Sequence, residues 1–213
     1  MKKTKTKDCN TKIPKAAPAI VGAAVLLGGT ALASRVLGLI RDRMLAGSFG
    51  AGVELDIYYA AFRIPDLIFT FLVLGALSAG FIPLFTRHWC KDRARGQEIA
   101  WQFTNNVVHV LGALLIGFSI LGVIFTPWIL KVIAPGFDAT VLARAVEISR
   151  IMYLSTIMLG LSSVFGGVLQ SLKRFTLYAI APLLYNIGII GGVLAAQWTD
   201  GGIELVAWGV VVG

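Results

Sequence analysis

Apolar residues run through this chain in long blocks rather than in alternation. Six blocks can be counted, over about residues 17–46, 56–87, 99–133, 139–172, 176–198 and 203–213. A helix of about 20 apolar residues crosses the hydrocarbon core of a bilayer. Lipid offers backbone groups no hydrogen-bond partner, so spanning segments close their bonds internally as helices. The pattern therefore predicts an all-α, polytopic membrane bundle of about six transmembrane helices. The first block, at about 1.5 Å per residue, exceeds the core thickness and predicts tilt or a bend. Pro65 and Pro83 interrupt the second block. The sixth block has 11 residues, short of a full span, and predicts a fragment or shortened form of a longer protein.

The polar residues between blocks carry a topological signal. Six lysines precede residue 16, at 2, 3, 5, 7, 12 and 15, and the stretch 87–98 (RHWCKDRARGQE) holds four Lys or Arg. Lys173-Arg174 forms the next basic junction. The alternate connections, 47–55, 131–139 and 198–202, hold one Lys and no Arg. The positive-inside rule then places the N-terminus and the basic connections in the cytoplasm. Residues 1–15 are expected to be a basic cytoplasmic tail and 16–213 a transmembrane lobe. Trp89, Trp101, Trp128 and Trp198 fall near the expected interfaces, as belt residues do. Ala31-Leu32-Ala33-Ser34 has the form of a signal-peptidase site. The run before it, about 18 residues, is longer than a typical h-region of roughly 7–15, so an uncleaved first helix is the reading.

Composition sharpens this picture. Of 213 residues, 57% are hydrophobic and 14% charged, against roughly 25% charged in a soluble domain. The net charge of +8 is accounted for by topology signals rather than by nucleic acid. Cys9 and Cys90 show no CxxC spacing, and His88 and His109 are isolated, so neither a disulfide framework nor a metal site is read. No phosphate-binding loop, nucleophile elbow or HExxH occurs. A transporter rather than an enzyme is expected, with no cofactor.

The residues that do not fit an apolar helix are the candidates for function. Arg35, Arg41, Asp42 and Arg43 lie in the second half of the first block; Asp56, Arg63 and Asp66 lie in the first half of the second. A charge at the bilayer centre costs on the order of 3 kcal/mol, so it faces a bundle interior or a watery cavity. Arg35 and Asp42, seven apart, share a helical stripe, as do Asp56, Tyr59, Arg63 and Asp66; Arg41 is rotated from Arg35 by about a third of a turn. A cationic, partly neutralised cavity between these two helices is expected. Arg suits a phosphate because its planar fork donates paired hydrogen bonds. The plainer reading, that Asp42, Arg43 and Asp66 only pair to hold helices together, stays open, as does snorkelling of Arg43.

Several stretches resemble, in order, the MurJ/MviN-type lipid II flippases of the multidrug/oligosaccharidyl-lipid/polysaccharide exporter superfamily. They are SRVLGLIRDRMLAGSFGAG from Ser34 to Gly52 followed by Asp56, AFRIPD from Ala61, GALSAGFIP from Gly75, APGF from Ala134, LKRFTLYAIAPLLYNIGII from Leu172, and Ala207-Trp208-Gly209. The resemblance implies the N-terminal lobe of a two-lobe exporter in the cytoplasmic membrane. Such a protein turns a lipid-linked pyrophosphoryl sugar from the inner to the outer leaflet by alternating access, for cell-wall synthesis. It implies membrane lipids and a C-terminal lobe as partners, and substrate contacts at Arg35, Arg41, Asp56 and Arg63. Two positions depart from the family pattern. Leu67-Ile68-Phe69-Thr70 lacks a basic residue after the proline, and Leu74 stands where an acidic residue is common. Export of another polyprenyl-linked oligosaccharide or of a drug, and a non-transporting membrane scaffold, are the alternatives.

Overall fold

The computed structural model describes residues 17–74, 80–89, 93–199 and 201–213. The lysine-rich tail, Cys9, Cys90, Lys91 and the 75–79 part of the second block lie outside the described residues. Among the described residues the chain is helical with no strand. The helices are α1 (Ala17–Phe49), α2 (Val53–Phe69), α3 (Ile82–Trp89), α4 (Arg93–Ile133), α5 (Ala139–Ser171), α6 (Phe175–Thr199) and α7 (Gly202–Val212). Most of α4 (Arg95–Ile133), with α5 and α6, is long and apolar enough to cross a membrane; α7 is a shorter apolar helix. The outward face of α4 shows Val110, Leu114, Phe118, Leu121, Phe125 and Val132 to the surroundings, and Trp101, Trp128 and Trp198 are exposed. Such a contiguous apolar surface suits lipid rather than water.

The second block is not one helix, as its hydropathy suggested. It breaks after Phe69 into a π-helical turn, Thr70–Leu74, and resumes as α3. The break has a traceable origin. Pro65 has no N–H, so the carbonyl of Ala61 loses its helical partner. Ser149 on α5 supplies one, its hydroxyl donating to Ala61 O at 3.1 Å. One turn pair further along α5, the Thr156 hydroxyl donates to Pro65 O at 3.2 Å. The N–H of Thr70 is shared between Asp66 O and Leu67 O, and the π-helical turn begins at this residue. Buried serine and threonine on α5 thus hold the kinked helix in place.

Elsewhere packing is governed by small residues and by one turn. Helices α6 and α7 meet backbone to backbone: a Cβ on Gly192 would lie 2.6 Å from Leu205 O, and one on Gly209 2.6 Å from Gly188 O. Small residues permit this approach, the usual device of helix association in lipid. Helix α1 packs mainly on α6, α2 on α5, and α4 on α5. One core runs from Leu45 and Ile57 through Ile148, Met152, Ile189 and Val206; a second gathers Val73, Phe81, Phe85, Leu115 and Val164. Between α4 and α5 the chain reverses at Pro135-Gly136, where Phe137 N–H donates to Ala134 O at 3.1 Å. Asp138 then caps α5, accepting from the N–H groups of Thr140 at 3.0 Å and Val141 at 2.9 Å.

Three outcomes follow from these contacts. Ser149→Ala should cost about 0.5–1.5 kcal/mol, read by thermal unfolding in detergent, because Ala61 O is left without a donor. Gly192→Ala should destabilise by about 1–3 kcal/mol through overpacking. Its neighbour Gly191, with nothing within 4 Å of an added Cβ, should accept Ala without loss. The backbone hydrogen bond from Val141, with the Thr140 hydroxyl, holds the Asp138 carboxyl below its usual value of 3.8. Its capping contribution is therefore complete above that value and is lost as pH falls through the lower folded one. An acid titration of unfolding should show this loss in the parent and a flatter profile in Asp138→Asn.

Candidate functional site

Among the described residues a slot of about 680 Å³ lies between α1, α2, α5 and α6. It extends along α5 from Ser155 to Leu169, a length of about 20 Å at the helical rise. Aromatic residues Phe62, Phe69, Phe165 and Tyr178 line it, with the hydroxyl side chains Ser155, Thr156, Ser162 and Ser163 on α5. Pro65 of α2 and Pro182 of α6 both border it. The charged residues in its wall are Arg41 and Asp66, and Tyr58 and Tyr185 stand beside Arg41.

Arg41 is the most constrained of these charges. Its Nε and Nη2 both lie 2.9 Å from Asp42 Oδ1, and its Nη1 donates to Asn186 Oδ1 on α6 at 3.0 Å. The guanidinium is 24% exposed and Asp42 50%. A guanidinium has five N–H groups. These contacts occupy three, so two remain without a protein partner among the described residues. The site thus offers a partly buried cation whose charge is only partly compensated, in the wall of a groove lined by aromatic residues. An oxyanion with several acceptor oxygens matches that arrangement.

The expected site residues are not brought together as one cavity. Of Arg35, Arg41, Asp56 and Arg63, only Arg41 lines the slot. Arg35, Asp56 and Arg63 are exposed on the outward faces of α1 and α2. The spacing explains the split. A third of a turn separates Arg35 from Arg41, so one arginine turns toward α6 and the other away. The stripe Asp56, Tyr59, Arg63 and Asp66 is present as read, and all four are exposed, with Asp66 at the slot margin. The cavity is not between α1 and α2 alone, because α5 and α6 form most of its wall. Asp42 pairs with its neighbour Arg41 by folding the long arginine arm back. His88 and His109 each bond through Nδ1 to the carbonyl four residues earlier on their own helices.

Two features went unread in the sequence. Asn186, hidden in an apolar block, is the partner of Arg41. Arg144 on α5 donates to both oxygens of Glu54 on α2, the longer bond at 2.9 Å, and to Glu204 on α7 at 3.2 Å. This triad joins three helix ends on the side that carries the Asp138 cap. Its signal was present as one arginine and two glutamates near block ends, but only tertiary contact pairs them.

Comparison with known proteins gives the site its setting. A family model described as lipid II flippase MurJ matches residues 45–213. A probable lipid II flippase MurJ of Rhizobium tropici is 32% identical over 187 residues, covering 86% of this chain and 34% of that protein. The lipid II flippase MurJ of Burkholderia cenocepacia is 31% identical over 194 residues, covering 90% of this chain and 37% of that protein. A solved structure of a lipid II flippase MurJ in an inward closed conformation superposes with a TM-score of 0.72 at 26% identity, over 88% of this chain and 39% of that one. The chain spans about a third of the length of the curated relatives it matches. With a kinked, membrane-type helical bundle built around an embedded arginine, and a family match over most of its length, the chain belongs to the MurJ lipid II flippase family.

Proposed function

We propose that this chain is one lobe of a transporter that turns lipid II, a lipid-linked pyrophosphoryl sugar, from the inner to the outer leaflet of the cytoplasmic membrane. The basic tail and the 87–98 and 173–174 junctions lie on the cytoplasmic side in this reading. Arg41 carries the proposal. It is a partly buried arginine in the wall of a long slot, with two N–H groups that have no protein partner among the described residues. The family match begins four residues beyond Arg41, so its role rests on this geometry and on the Ser34–Gly52 resemblance.

The chemistry follows from charge and solvation. A pyrophosphate and its sugar head are too polar to cross lipid unaided. Arg41 offers the pyrophosphate paired donors, while Asp42 keeps the net charge low enough for release. The lipid chain stays in the bilayer. The exposed Arg35 of α1 and the exposed Asp56 and Arg63 of α2 are left for contact with a second lobe, and rocking of the two lobes changes which side is open. Transfer of net charge couples to the membrane potential at about 2.3 kcal/mol per charge per 100 mV.

The test is genetic replacement in cells depleted of their own flippase. The parent protein should restore growth. Arg41→Ala, at matched membrane abundance, should fail, and Arg41→Lys should support only reduced transport, because a point charge replaces a fork. Loss of a charge-assisted hydrogen-bond pair predicts about a tenfold or greater fall in flipping rate. Full rescue by Arg41→Ala would remove the basis of the proposal. Rescue only when another polyprenyl-linked sugar is supplied would favour the sibling exporter activity.

A further inference from the structure

Asn186 is 6% exposed in the middle of α6. Its amide nitrogen donates to Pro182 O at 2.9 Å, and lies 3.3 Å from Ser34 O and 3.2 Å from Ser34 Oγ. Two of those three are backbone carbonyls, which only accept. An amide turned the other way would set its own oxygen against them, so the network fixes which end is which. The oxygen must then point toward α1, where it accepts from Nη1 of Arg41 at 3.0 Å. We infer that Asn186 is a positioning residue for anion recognition: a neutral anchor that fixes the Arg41 guanidinium toward the slot without cancelling its charge. The inference rests on the reading of Arg41 as the anion-binding group.

The distribution of charge around Arg41 gives the inference its content. One side of the guanidinium meets a carboxylate, Asp42, half open to the surroundings. The other meets an amide oxygen, which supplies a dipole but no formal charge. A second carboxylate in place of that amide would neutralise the guanidinium fully, while setting an oxygen against Pro182 O and Ser34 O. A leucine would preserve the volume and leave Nη1 without a partner. A purely structural Asn186 would predict that affinity follows stability. A neutral anchor predicts that affinity follows the number of carboxylates beside Arg41.

The experiment measures inorganic pyrophosphate binding by calorimetry to the intact protein in detergent, with thermal unfolding of every variant alongside. The parent should bind, and Arg41→Ala should lose the site. If the parent does not bind, or Arg41→Ala binds as well as the parent, the anion site itself is wrong and the inference falls with it. With that established, Asn186→Asp should bind about tenfold more weakly or worse at a temperature where it is folded, and should unfold below the parent temperature because its second oxygen faces Pro182 O and Ser34 O. The double variant Asp42→Asn/Asn186→Asp, which moves the single carboxylate to the other side, should recover most of the lost affinity without recovering the lost stability. Parent-like binding by folded Asn186→Asp, or no recovery in the folded double variant, overturns the inference and leaves Arg41 as the anion site. Should Asn186→Asp fail to fold, Asp42→Asn at its half-exposed position decides. With Asn186 alone holding Arg41, affinity should rise; an unchanged or lower affinity overturns the neutral-anchor role.

Discussion

Within lipid a polar group has no solvent to turn to, so each must be satisfied by the protein itself or left exposed to a cavity. That constraint organises this lobe. Pro65 removes a backbone donor from α2, and hydroxyls on α5 answer the exposed carbonyls. In α6 the Asn186 side chain donates to the carbonyl of Pro182, one turn before it on the same helix. Tyr153 and Thr126, both buried, meet at 2.8 Å across α4 and α5. Each of these bonds contributes little alone, on the order of 1 kcal/mol. Together they decide which helix faces meet, because an apolar face alone could slide or rotate at small cost.

The same constraint bears on the slot. Two of the slot helices carry a proline in the slot wall, Pro65 in α2 and Pro182 in α6. Arg41 stands in the same wall with its charge half compensated. A residue fully satisfied by the protein would have nothing left for a ligand. One with no partner would be too costly to keep within the membrane. Asp42 and Asn186 hold Arg41 between these limits. At the far end of α2, the Glu54–Arg144–Glu204 cluster joins α2, α5 and α7, so the helix that carries the outward polar stripe is anchored to the same α5 that supplies its hydroxyl partners.

Much of this was legible in the sequence. Long apolar blocks require helices, and their lengths are set by membrane thickness rather than by tertiary detail. The embedded charges of α1 and α2 were evident because they violate that pattern, and Arg41 was among them. What the sequence withheld was pairing. Spacing shows that Arg35 and Arg41 occupy different faces, but not which face meets α6. Pro65 signals a kink or a tolerated proline equally well until Ser149 is seen opposite Ala61. Asn186 is a single polar residue in an apolar run, unremarkable until Arg41 is found beside it. Glu54 and Glu204 lie 90 and 60 positions from Arg144, a distance over which no periodicity operates.

The proposed role of Arg41 requires that a lipid-linked pyrophosphate place its phosphates beside that residue. A structure of the intact protein bound to a lipid-linked pyrophosphate would measure this directly. Phosphate oxygens should lie about 2.7–2.9 Å from the two N–H groups of Arg41 that have no protein partner among the described residues, with the bonds to Asp42 and Asn186 retained and the slot partly filled. A pyrophosphate held elsewhere, with Arg41 still carrying only its protein partners, would contradict the assignment of this slot as the place where the anion is recognised.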